Sequence, residues 1–309
     1  MKANDLLKEL RTERNISQRK LVENISERST LATFEQKGHR IAFDILHQYL
    51  DRLNVTLEEF EYRLDDNQVS EKKQLSKQLT TAYYESNYSE VLSLINKAQA
   101  LYKTTKDFFY YVLYSQFFLI LEKKGVVTDE GERCIIEATI KKYLERIDTW
   151  GKFEISLFTN LLFLFSDEYI LYQMKHLNKK IFYSNTLSIN YQIYTKLLTN
   201  AAFLFIDRKK PAELAHVLTY LADHLPPDND RIRLMIRYFE GIYALFQGDR
   251  TLGMATIEKA LDYLRFIGQE AFAKELEVLA RVSKKNLLLP LSKRTTLLHG
   301  GNSRFFFLK

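Results

Sequence analysis

The chain has 309 residues, 46% of them apolar, enough to bury the cores of one small and one large domain. Its formal charge of +6 is local: from Lys284 onward there are six basic residues and no acid, leaving 39 basic and 39 acidic side chains in 1–283, so no basic body demands a polyanion. One cysteine (Cys134) excludes an internal disulfide framework, the run Leu157 to Phe165 is too short for a bilayer, and the start (Lys2, Asp5, Lys8, Glu9) lacks a signal peptide's apolar stretch, so a cytoplasmic protein is expected.

Ten glycines and four prolines punctuate the chain, with no glycine between His39 and Lys124. Apolar residues recur at three- and four-residue spacing nearly throughout, which predicts an all-α fold. The first 65 residues divide into five short helices. Leu6, Leu7 and Leu10 mark the first. Leu21, Val22 and Ile25 mark the second, with Ser17 as N-cap. Leu31 and Phe34 mark the third, capped by Ser26 or Ser29. Ile45, Leu46, Tyr49, Leu50 and Leu53 mark the fourth. Leu57 and Phe60 mark the fifth, with Thr56 and Glu59 spaced as a capping box.

Charge is uneven inside this segment. Residues 1–40 carry nine basic and six acidic side chains, and 41–66 carry two and seven. A small domain with one basic end docks on phosphates in one orientation. The second and third helices have helix-turn-helix spacing, in which one helix braces on the backbone and the next enters the major groove. Ser17 and Gln18 open the bracing helix, where free amides suit a phosphate. Arg28, Ser29, Thr30 and Thr33 lie at the outer edge of the reading helix, with Leu31 and Phe34 behind them. Lys37, His39 and Arg40 follow in a loop suited to phosphates, and Arg11 and Arg14 are placed to reach phosphates from the first helix. Residues 1–65 are therefore expected to form a DNA-binding domain, followed by a polar linker at 66–75.

Residues 76–285 read as successive helices of roughly 15–20 residues, which suits paired-helix repeats. Breaks are expected at Ser86-Asn87, Lys124-Gly125, Trp150-Gly151, Ser184-Asn185, Lys210-Pro211, Pro226-Pro227, Gly248-Asp249 and Gly268. The clearest unit starts near Arg237: Gly241, Ala244, Gly253, Ile257 and Ala260 stand where a tetratricopeptide unit places small and apolar residues. The predicted architecture is a five-helix helix-turn-helix domain followed by a right-handed tetratricopeptide-like helical repeat. Residues 286–309, with Pro290, Gly300-Gly301 and Phe305 to Phe307, read as a disordered basic tail.

The run Arg28 to Glu35, Gly38, Leu46, Leu50 and Leu53 resembles the bacterial Xre/Cro-type helix-turn-helix. The segment Leu53-Asn54-Val55-Thr56-Leu57-Glu58-Glu59-Phe60 is more specific and resembles the Rgg/MutR/GadR regulators. Trp150, Glu154, Leu157, Phe158 and Asn160 resemble that family's middle pattern. Phe239, Gly241, Gly248-Asp249, Gly253, Ile257, Leu264 and Gly268 resemble its C-terminal one. Two departures stand out: Ala32-Thr33 replaces a common Ser-Arg, and Glu35-Gln36-Lys37-Gly38 stretches the usual Glu-x-Gly. The lost arginine removes a DNA contact.

The resemblance implies a homodimer on a partly symmetric promoter operator of double-stranded DNA. It also implies a short, hydrophobic signalling peptide bound by the repeat, as in quorum sensing. A peptide in a helical groove needs side-chain amides for its backbone and apolar walls for its side chains. Asn160, Tyr191, Tyr194, Asn200, Arg233, Arg237 and Tyr238 are the candidates. Two other readings stay open: a tetratricopeptide-like adaptor for protein partners, and the same regulator answering pH or stress. His39, His47, His176, His216, His224 and His299 lack metal-ligand spacing. No P-loop, dinucleotide turn or nucleophile elbow is present, so no enzyme, cofactor or metal site is expected.

Overall fold

The structure is a computed structural model that describes residues 1–64, 70–183, 188–223 and 229–288, with side chains for these apart from 178–183, 188–191 and 282–288. Among the described residues there is no strand. Two compact units divide the chain, Met1–Thr81 and Ala82–Lys309.

The first unit begins with five short helices: α1 (Ala3–Glu13), α2 (Gln18–Val22), α3 (Arg28–Lys37), α4 (Phe43–Arg52) and α5 (Leu57–Leu64). Each contributes to one apolar core, with Leu6 and Leu10 from α1, Leu21 from α2, Leu31 and Phe34 from α3, Tyr49 and Leu50 from α4, and Phe60 from α5. The sequence marks these boundaries locally. Glu59 accepts the Thr56 N–H at 2.7 Å while the Glu59 N–H donates to the Thr56 hydroxyl at 3.2 Å, a reciprocal capping box at the start of α5. Gly38 ends α3 in the left-handed conformation, φ 65°, with its N–H on the Phe34 carbonyl. The chain resumes in α6 (Glu71–Tyr84). The expected 66–75 linker is therefore helix from Glu71 onward, and 65–69 lies outside the described residues.

The second unit holds α7 (Tyr88–Thr105), α8 (Phe108–Lys123), α9 (Glu130–Arg146), α10 (Lys152–Asn160), a 3-10 turn (Leu162–Leu164), α11 (Asp167–Tyr183), α12 (Ser188–Asp207), α13 (Pro211–Asp223), α14 (Asp230–Phe246), α15 (Arg250–Phe266) and α16 (Glu270–Leu288). Asn or Asp starts many of these helices. Asn87, Asp107, Asp129, Asn229 and Asp249 each accept a first-turn backbone N–H. Neighbours in sequence pack as pairs, α7 on α8, α12 on α13 and α14 on α15, while α10 crosses back onto α12. Among the described residues no helix is long and apolar enough to cross a membrane. The breaks expected at Ser184-Asn185 and Pro226-Pro227, and the 289–309 part of the tail, lie outside the described residues.

The α14–α15 pair shows why two glycines are needed. A Cβ on Gly241 would stand 2.7 Å from the Ile257 side chain and 3.0 Å from the Gly253 carbonyl. A Cβ on Gly253 would stand 2.9 Å from the Gly241 carbonyl. The backbones touch where the sequence places small residues, as the repeat reading requires.

Candidate functional site

The α2–α3 corner of the first unit is built from both sides. Ser17 caps α2 by accepting the Lys20 N–H at 3.2 Å. At the other end, Arg52 of α4 donates one guanidinium nitrogen to the carbonyls of Lys20, Leu21 and Glu23, at 3.2, 3.1 and 2.6 Å. Two of these carbonyls lie in the last turn of a five-residue helix and the third belongs to its C-cap, and the helix has no length of its own to hold it together. The turn then passes through Asn24 in the left-handed region, φ 59°. The N-cap of α3 is Glu27, without a side-chain bond. Neither expected cap serves. Ser26 bonds to the Tyr49 hydroxyl and donates to the Glu27 carbonyl, and Ser29 lies exposed in the first turn.

Beneath α3 is a closed ionic network. The Glu35 carboxylate, 4% exposed, accepts from Arg11 Nε at 2.7 Å, Arg11 Nη2 at 2.8 Å and Gln18 Nε2 at 2.8 Å. Arg11 Nη1 donates to the Ile16 carbonyl at 2.8 Å. The bidentate pair fixes α1 against α3, and the Gln18 amide adds α2. Two of the expected DNA contacts change meaning here. Arg11 is buried, with its guanidinium consumed internally, and cannot extend to a phosphate from this position. Gln18 is half-buried, and its Oε1 stands 3.5 Å from Arg28 Nε, at the long limit of a hydrogen bond.

The remaining predicted residues lie toward the surface. Arg14, Ser17, Arg28, Ser29, Lys37 and Arg40 are exposed, as is His39, and Thr30 and Thr33 are half-buried. Arg14 donates to the Leu10 carbonyl at 3.2 Å, which leaves most of its guanidinium outward. Leu31 and Phe34 are buried behind this edge. Arg19 and Lys20, not singled out in the sequence, add two exposed cations on α2.

In the second unit the candidate ligand residues separate into core and cavity. Tyr194 is 1% exposed and donates its hydroxyl to the Met174 carbonyl at 3.3 Å. Tyr238 is fully buried and donates to the Leu276 carbonyl at 2.8 Å. Burial pushes both phenols up from their ordinary pKa. These tyrosines are packing residues whose polar ends are already satisfied, not walls of an open groove. Arg237 is exposed and pairs with Glu240 at 2.8 Å, one turn along its own helix, and Arg233 is exposed. Asn160, half-buried at the end of α10, donates to Gln116 Oε1 of α8 at 3.4 Å. Tyr191 has its side chain outside the described residues.

Asn200 differs from the rest. Its side chain is 2% exposed, and neither amide atom meets a partner. It belongs to a polar stripe on α12, with Gln192, Thr195, Lys196 and Thr199 at helical three- and four-residue spacing. Four of these five residues line a cavity of about 380 Å³ together with Asn229, Arg231, Ile232 and Met235 around the start of α14 and Phe272 of α16. Burial lowers the pKa of Lys196. Sequence reasoning missed Lys196 and Arg231. The sequence carries no local signal for them, because the cavity they line forms only where α14 and α16 lie near α12.

Residues 73–278 match the family model of the HTH-type transcriptional regulator Rgg, C-terminal domain. The chain is also similar in fold to solved structures. The SHP pheromone receptor Rgg2 of Streptococcus dysgalactiae has TM-score 0.72 at 21% identity, covering 91% of this chain and 99% of that one. A candidate transcriptional regulator from Listeria monocytogenes EGD-e has TM-score 0.76 at 18% identity, covering 93% and 99%. PrgX in its complex with cCF10 has TM-score 0.71 at 16% identity, covering 91% and 99%. With the family model spanning about two thirds of its length, this chain belongs to the Rgg family of helix-turn-helix transcriptional regulators.

Proposed function

We propose that the chain acts as a cytoplasmic homodimer that reads a promoter operator through α3 and changes transcriptional state when its repeat binds a short apolar signalling peptide. The observation that carries the DNA half is the division of α3, where Arg28 and Ser29 are exposed at its start while Leu31 and Phe34 are buried behind them. Side chains so placed reach base edges, and Ser17, Arg14, Arg19, Lys20, Lys37 and Arg40 supply phosphate contacts around them. Gln18 serves at the α2 end by steadying Arg28. Thr30 and Thr33 are half-buried beside that edge and suit a thymine methyl or a sugar. Arg11 acts indirectly, by holding Glu35.

The peptide half rests on Asn200. A buried amide with no partner costs about 1–3 kcal/mol and is maintained where a ligand's backbone satisfies it. Asn160 offers a second side-chain amide, half-buried at the end of α10. Among the similar structures, one is of a pheromone receptor and another of a peptide pheromone/receptor complex, which supports a peptide as the input. For the dimer, Tyr263, Phe266 and Ile267 make an exposed apolar ridge at the end of α15, with Phe266 at 88% exposure. Two copies set the half-site spacing of an operator. Peptide binding then biases a pre-existing equilibrium between dimer states.

The test uses fluorescence anisotropy with the DNA upstream of the protein's own gene. Binding is expected to be specific, to fall steeply with salt, and to weaken about tenfold or more in Arg28→Ala. Equal affinity for that DNA and an unrelated fragment of the same length would defeat the proposal. Trp150, whose ring packs 5.1 Å from Phe158, reports on the repeat, and titration with short apolar peptides is expected to change its emission.

A further inference from the structure

Among the described residues, the cavity beside α12 is lined by two cations, Lys196 and Arg231, and by no Asp or Glu. Among the described residues Lys196, half-buried, makes no ion pair. Arg231 is likewise unpaired and lies in the first turn of α14, where the backbone amides lend further positive character. Asp230, the acid of that turn, does not line the cavity. Asn229 does, but its side chain is committed to capping α14 through the Ile232 N–H at 3.1 Å. An unpaired, partly buried ammonium costs free energy unless an anion answers it.

The apolar part of the wall is Ile193, Ile232, Met235 and Phe272, and Gln192, Thr195 and Thr199 add neutral polar groups. Two cations beside four apolar side chains suit a carboxylate attached to an apolar residue, with the neutral polar groups free to meet its backbone. The space, about 380 Å³, exceeds the ~30 Å³ share of a single water by an order of magnitude and accommodates a residue. Asn200 stands one turn beyond Lys196 on the same helix. Resting on the peptide reading above, we infer that this cavity receives the C-terminal residue of the signalling peptide, with Lys196 and Arg231 pairing the terminal carboxylate and Ile232, Met235 and Phe272 holding an apolar last side chain.

The experiment uses the full chain and two pools of random heptapeptides, one with free carboxyl termini and one amidated, mixed in equal amounts. Protein with bound peptide is separated by gel filtration, and the retained peptides are counted by mass spectrometry. Free acids are expected to be enriched at least about tenfold over amides, with apolar residues at the last position. That preference is expected to collapse in Lys196→Met and in Arg231→Gln. Arg231 is exposed, so the second variant keeps the test valid if the first fails to fold. Equal retention of both pools overturns the inference while leaving peptide binding intact. A preference unchanged in both variants overturns its location. Amides retained only when they carry Asp or Glu assign the cavity to an acidic side chain instead. Retention of neither pool removes the peptide reading itself and this inference with it.

Discussion

The polar interior beneath α3 and the polar stripe of α12 are opposite solutions to burying hydrophilic groups. Under α3 the chain supplies its own answer: Glu35 takes three hydrogen bonds from Arg11 and Gln18, and Arg11 spends its remaining nitrogen on Ile16. Along α12, among the described residues, Asn200 has no partner for either amide atom and Lys196 no counterion. A closed network fixes geometry, and an open one leaves free energy to be recovered by a ligand. The first suits a surface that must present side chains at fixed spacing to a rigid duplex. The second suits a receptor that must respond.

The largest expected effect tests the closed side. Glu35→Ala strands the buried Arg11 charge and is expected to cost about 3–5 kcal/mol, enough to unfold the first unit, read as loss of hydrogen-exchange protection in α1 and α3 with DNA binding abolished. Protection unchanged in this variant would show that the network is not what holds the corner. Arg52→Ala removes three charge-assisted bonds from the end of α2 and is expected to cost roughly 1.5–3 kcal/mol, with faster exchange around Leu21 to Asn24. On the open side the sign reverses. Asn200→Leu replaces an unsatisfied amide by an apolar side chain of similar size. It is expected to raise the stability of the free protein by about 1 kcal/mol in urea titration and to abolish the Trp150 response to peptide. A destabilised Asn200→Leu protein would mean that the amide is already satisfied and that the two regions do not differ.

The contrast was only half legible in the sequence. The five short helices, the Ser17 cap, the Thr56–Glu59 box and the Gly241–Gly253 contact are set by residues close together or by small residues at regular spacing, and a linear reading finds them. Whether Arg11 points out to a phosphate or in to Glu35 depends on a partner 24 positions away. Arg52 capping α2 across 29 to 32 positions is of the same kind. Tyr194 and Tyr238 misled because a tyrosine has an apolar body that suits core and groove equally, and only tertiary packing gives its hydroxyl a carbonyl to meet. Lys196 escaped notice because the cavity exists only once α14 and α16 lie near α12, an arrangement with no local signature.

The smallest expected effect lies at the far end of α12, where the helix returns to the closed solution. Arg208, just past its last residue, donates to Asp167 at 2.6 Å and to the Phe163 and Phe165 carbonyls, and Lys210 reaches the other oxygen of Asp167 at 2.9 Å. Burial alone raises the Asp167 pKa, but the bonds from Lys210 and Arg208 outweigh it and hold the carboxyl below its ordinary value. A depressed folded pKa means that the contribution to stability is complete above the unfolded value, about 3.9, and is lost as pH falls through the folded one. Thermal unfolding between about pH 6 and pH 3 is therefore expected to show a drop confined to the acid end. Asp167→Asn is expected to flatten that drop and to be less stable than the parent at neutral pH. Among the described residues no carboxylate pairs with Lys196 on the same helix, so Lys196→Met is expected to leave the acid limb unchanged. Equal acid sensitivity in the Asp167→Asn and parent proteins would show that both ends of α12 are energetically open, and the distinction between its fixed anchor and its responsive middle would fail.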